Sequence, residues 1–98
     1  MITRLVKLTL QPEKVEEFKA IFYLTKPIIE DFRGCQKTDL FKVAGNQSEY
    51  FTISYWQSED DLENYRASAL FEQTWSKVKP LFSVKAEAFT LSAVIPAE

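Results

Sequence analysis

The sequence contains no histidine among its 98 residues. That absence excludes Ser-His-Asp and Cys-His catalysis, and with them His-ligated zinc or haem iron. Cysteine is nearly missing too: Cys35 stands alone, so an internal disulfide cannot form and a structural zinc site lacks its donors. A single thiol and no secretory apolar segment at the N-terminus point to a reducing, cytoplasmic setting. Paired catalytic carboxylates, a Gly-rich phosphate loop and CxxC or HxxxH spacing are all lacking. No apolar run approaches the roughly 20 residues of a membrane-spanning helix. Neither charge dominates: 12 Lys/Arg and 14 Asp/Glu are interleaved, which argues against nucleic acid and anionic membrane as partners. Repeats, low-complexity segments and linker-like stretches are also absent, and the length suits one domain over residues 1–98.

Aromatic residues are plentiful: eight Phe, four Tyr and two Trp, within an apolar fraction of 46% that is ample for a core. Residues 2–10 alternate as a half-buried strand, with Ile2, Val6, Leu8 and Leu10 on one parity and Arg4 interrupting them. Pro12 suits a first helical turn, and Val15, Phe18, Ile21, Phe22, Thr25, Ile28, Ile29 and Phe32 then form a helical stripe. Pro27 lies inside it and is expected to kink or restart the helix, and Gly34 to end it. Strands follow at about Cys35–Ala44 and Glu49–Trp56, joined by a turn at Gly45-Asn46-Gln47-Ser48. Ser58 to Asp61 reads as a capping box opening a second helical region that stops at Pro80. Its apolar positions split into Leu62, Tyr65, Ala69 and Phe71, Trp75, Val78, half a turn apart. A straight helix cannot bury both stripes, so a break is predicted near Ala67–Leu70. A last strand runs from about Val84 to Ile95, with Phe89, Leu91, Ala93 and Ile95 on one parity.

The order β-α-β-β-α-β predicts an α+β, ferredoxin-like fold: a four-stranded antiparallel sheet with the helices on one face. The strands carry apolar side chains on both faces, and the uncovered face predicts a homodimer packed sheet against sheet.

With these elements in place, the chain resembles the antibiotic biosynthesis monooxygenase domain family, a branch of the dimeric α/β-barrel superfamily. The likeness is carried by Arg33-Gly34-Cys35, by Tyr55-Trp56-Gln57-Ser58, by the run Glu59 to Ser68, and by Phe71 and Trp75 to Pro80. It implies a homodimer with a pocket between sheet and helices in each subunit. It also implies oxygenases that need neither metal nor organic cofactor, acting on a small hydrophobic or aromatic molecule; a non-enzymatic binding module of the same fold is the alternative. Haem degraders in the family keep a first-strand Asn, a Trp and a helical His. Here Val6 and Trp75 stand at the Asn and His positions and only Trp56 remains, which argues against haem chemistry.

The catalytic candidates are Tyr65 for its hydroxyl, Arg4 as a cation that could neutralise an anionic substrate, and Trp56 as a pocket wall offering its indole N–H. Each has a plainer reading: a surface hydroxyl, a strand-edge charge, a core anchor. Candidate substrate-binding residues are Trp56, Tyr65, Arg66, Phe71, Trp75, Phe22 and Val6. Cofactor-binding and metal-binding residues are not expected. Tyr23 is expected to be exposed, and Cys35 a small buried residue.

Overall fold

The computed structural model describes residues 1–94. Four strands, β1 (Ile2–Thr9), β2 (Cys35–Lys42), β3 (Glu49–Trp56) and β4 (Glu87–Ser92), form one antiparallel sheet in the order β2-β3-β1-β4. Three helices complete the fold: α1 (Val15–Glu30), α2 (Glu59–Arg66) and α3 (Ala69–Val78). This is the ferredoxin-like α+β arrangement anticipated from the element order. Short 3-10 turns at Pro12–Lys14 and Lys79–Leu81 lead into α1 and out of α3.

Several details depart from the sequence reading. Pro27 neither ends nor restarts α1, which runs unbroken to Glu30. Proline removes one hydrogen bond, here to the Tyr23 carbonyl on the exposed side of the helix, where that carbonyl can turn to water. Ile28 is 54% exposed, because it lies at the margin of the stripe whose centre is Phe18, Phe22 and Ile29. Phe32 follows the helix and packs from the connecting turn. Gly34 also sits in that turn, at φ +85°, a conformation that favours glycine. The second helical region breaks at Ala67–Ser68, as the two stripes require. Both halves carry serine caps: Ser58 Oγ accepts from the Asp61 N–H at 3.1 Å and Ser68 Oγ from the Phe71 N–H at 3.2 Å. The reciprocal half of the Ser58 box is missing, since the Asp61 side chain packs on Gly34. Ala69 is exposed and Leu70 packs in its place. β4 begins at Glu87 rather than Val84, and Ile95 lies outside the described residues.

Strand register assigns the two sheet faces. Even-numbered β1 and β3 residues face the helices; Leu5, Phe51 and Ile53 lie on the other face with Phe41, Phe89 and Leu91. Phe41, Phe89 and Leu91 are 46–51% exposed, so this face is apolar and uncovered. On the helix side the core falls into two clusters. One gathers Leu8, Leu10, Val15, Phe18, Phe22, Tyr50, Val78 and Leu81. The other gathers Ile2, Ile29, Trp56 and Leu62.

Candidate functional site

The gap between the two clusters is a cavity of about 360 Å³. Its origin is legible in side-chain size. Register places Thr38 beside Ser54, Ser54 beside Arg4 and Arg4 beside Thr90, so one polar row crosses all four strands. The next row is Leu40, Thr52, Val6 and Ala88. Short residues in mid-sheet cannot reach the helices above, whereas Leu8 and Tyr50 at one end and Trp56 at the other can. Phe18, Phe22 and Ile29 of α1, Leu62 of α2 and Val78 of α3 contribute to the walls and roof.

All eight candidate residues line this cavity: Arg4 and Val6 from β1, Phe22 from α1, Trp56 from β3, Tyr65 and Arg66 from α2, Phe71 and Trp75 from α3. Their environments differ sharply. Trp56 is completely shielded from solvent, and its Nε1–H donates to Ser54 Oγ at 3.0 Å, so the indole N–H is engaged within the protein. Tyr65 stacks on it with ring centroids 4.8 Å apart, and Phe32 meets it edge-on at 6.4 Å. Trp56 is thus a core anchor that also backs the cavity wall. Phe71 touches Tyr65 edge-on at 5.3 Å and stacks on Trp75 at 5.9 Å, so the helix break aligns an aromatic wall running from Trp56 to Trp75.

Burial pushes the Tyr65 phenol up to about 12. At neutral pH it is a neutral hydroxyl, able to donate a hydrogen bond and unable to serve as a base. Arg4 Nη1 donates to Thr90 Oγ1 at 2.7 Å, and among the described residues the guanidinium has no ion-pair partner. Burial, with the like charge of Arg66, holds Arg4 below its ordinary value, Glu63 opposing. Arg66 is exposed at the rim and pairs with Glu63 at 3.2 Å. The cavity lining includes two guanidiniums and no carboxylate. Cys35 is only partly buried, away from the lining, and desolvation raises its thiol; Tyr23 is 61% exposed. No cluster of three or more His, Cys, Asp or Glu side chains able to hold a metal occurs among the described residues.

Thr38, Thr52 and Ser54 were not among the candidates. Their signal was in the sequence: Thr52 and Ser54 share the parity of Trp56, and short polar residues on the strand face that carries a buried tryptophan mark a floor rather than a packed core.

The fold is shared with many solved structures. A protein of Nitrosomonas europaea that carries the antibiotic biosynthesis monooxygenase name superposes with a TM-score of 0.87 at 13% identity, over 97% of this chain and 100% of that one. One from Caulobacter crescentus CB15, of the same name, gives 0.85 at 22% identity over 96% and 90%. A conserved protein from Methanosarcina mazei Go1 gives 0.86 at 20% identity over 93% and 91%. At these identities the likeness is one of fold. No curated protein matches the sequence significantly. No helix among the described residues is long and apolar enough to cross a membrane. The family model for antibiotic biosynthesis monooxygenase matches residues 1–76, and the chain belongs to that family.

Proposed function

We propose that the protein is a small cofactor-independent monooxygenase whose substrate is an electron-rich aromatic molecule held between sheet and helices. The observation that carries this reading is the cavity itself: an aromatic wall facing one row of polar groups, inside a fold of this family. Oxygen transfer without a cofactor requires a substrate whose ionised form can give an electron to O₂. The protein then supplies a dry enclosure and groups that favour the anion. Phe22, Val6, Phe71 and Trp75 give the cavity apolar walls, Tyr65 adds a buried neutral phenol to its lining, and Arg4 offers positive charge at the floor. No lining side chain takes a proton near neutral pH, so the substrate enters as its anion, its proton already given up to bulk water, and the protein acts by favouring that anion over the neutral form.

The protein works as a dimer through the uncovered face around Ile53, a self-complementary apolar patch of the kind that rarely stays in water. The chain serves as one unit over residues 1–98.

A non-enzymatic binding module is the second reading, favoured by the same lack of a base in the lining. Oxygen uptake over a panel of anthrones and hydroquinones separates the two. The oxygenase reading expects uptake well above spontaneous oxidation for at least one compound, and a lower rate in Tyr65→Phe. Uptake no faster than the spontaneous rate across the panel leaves the binding module.

A further inference from the structure

We infer that the cavity selects an aromatic oxyanion, a ring bearing a carboxylate or phenolate whose charged oxygen sits over the Arg4–Ser54 pair at the sheet's centre. This inference rests on the proposed use of the cavity and names the ligand's charge.

Four observations converge. Arg4 occupies a floor position between Ile2 and Val6, not a sheet edge, because β1 is flanked on both sides by β3 and β4. Only its bond to Thr90 is made, leaving the rest of a five-donor guanidinium without partners among the described residues. The guanidinium is partly withdrawn from water, so an anion that joins it there gains more than it would in bulk solvent. Ser54, its direct cross-strand partner, accepts from the Trp56 indole through Oγ, which leaves the serine O–H to donate elsewhere. Arg4 and Ser54 stand on neighbouring strands in one row of the cavity floor, each with donor capacity left over, and the lining carries no carboxylate to compete. Arg66 adds a second cation at the rim, where it pairs with Glu63, a residue outside the lining. The aromatic wall from Trp56 to Trp75 then faces the ring that the oxyanion carries. A guanidinium and a hydroxyl suit an oxygen anion of either origin, since both share the same acceptor geometry.

Calorimetric titration of the intact protein tests the charge with probes that are not oxidised. The pairs are 2-naphthoate against 2-naphthamide, and 4-nitrophenol at a pH above its own ionisation against 4-nitroanisole. At least one anion should bind ten-fold or more tightly than its neutral partner, and which pair shows it distinguishes carboxylate from phenolate. In Arg4→Met and Arg4→Gln that preference should fall to within about two-fold while the neutral probes keep their affinity. Neutral probes that bind the native protein as tightly as the anions overturn the oxyanion assignment and leave the cavity reading intact. An anion preference that survives both substitutions overturns the role of Arg4. Silence of all four probes overturns the assignment together with the cavity as an aromatic site. The native-protein comparison needs no variant, so poor folding of either substitution does not blunt it.

Discussion

Replacing Gly34 with alanine should cost this domain much of its stability, through two separable effects. The residue sits at φ +85°, where a Cβ is disfavoured by about 1–2 kcal/mol. A Cβ there would also overlap Asp61, meeting its Cβ, Cγ and Oδ2 below any normal contact distance. Overpacking of that kind costs about 1–3 kcal/mol, because Asp61 is tied by its own N–H to the Ser58 cap and cannot simply withdraw. The less flexible unfolded chain returns about 0.4–1 kcal/mol. The net loss is about 2–4 kcal/mol, against a total of about 5–15 kcal/mol for a domain of ordinary stability. At about 4–8 °C per kcal/mol, the melting temperature falls by about 8–32 °C. Urea unfolding of Gly34→Ala, Asp61→Gly and the double variant resolves the two effects. Asp61→Gly removes the overlapping atoms at a helix-propensity cost of about 0.3 kcal/mol, Asp being already a poor helix former. The double variant should be more stable than the sum of the singles by about 1–3 kcal/mol, the backbone strain alone remaining. Strict additivity refutes the overlap. A Gly34→Ala variant within about 0.5 kcal/mol of the native protein refutes both effects.

Trp56→Ala should destabilise by about 3–5 kcal/mol in the same assay, since it empties a fully shielded site and strands Ser54; a loss under about 1 kcal/mol would show that Tyr65 and Phe32 collapse into the space. Ser68→Ala removes the α3 cap and should cost about 1 kcal/mol, with loss of far-ultraviolet helix signal if the break itself fails. Tyr65 has its folded pKa raised from about 10 to about 12, so its contribution is whole below pH 10 and lost as pH climbs through 12. Two units correspond to roughly 2–3 kcal/mol, measured as the difference in alkaline stability between the native protein and Tyr65→Phe; equal curves would mean the hydroxyl reaches bulk water. Ile53→Lys, placed at the centre of the uncovered face, should give a monomer by light scattering at micromolar concentration while the native protein runs as a dimer; equal masses would remove that face as the contact.

How far the sequence could be read follows from which signals are local. Strand alternation, the Ser58 cap and the half-turn offset between Leu62–Tyr65 and Phe71–Trp75 are properties of neighbouring residues. They gave the element order and the helix break. The effect of Pro27 is not legible locally, because its cost depends on which side of α1 the freed carbonyl faces, and that is a tertiary property. Ile28 was misplaced for a related reason: a stripe read at 100° per residue has soft edges, and only the sheet beneath decides where burial stops. The candidate residues share one cavity because most lie on apolar stripes, Arg4 interrupts one, and Arg66 sits at the helix bend that opens the gap. The row from Thr38 to Thr90 has no counterpart along the chain, since its members are joined only by strand register. The strand over Glu49–Trp56 already puts Ser54 on the face of Trp56, but that the indole N–H turns back to Ser54 rather than into the cavity is a rotamer choice set by packing.

The division of the core into two clusters also makes the protein its own ligand detector. An occupant of the 360 Å³ gap touches Phe18, Phe22 and Val78 on one side and Ile29, Trp56 and Leu62 on the other, so it splices two hydrophobic bodies into one. A compound present at 100 times its dissociation constant stabilises the folded state by about 2.7 kcal/mol. In a chain this small that is a rise in melting temperature of about 10–20 °C. A thermal-shift survey of aromatic acids, phenols and their neutral counterparts can therefore rank ligands before any reaction is known.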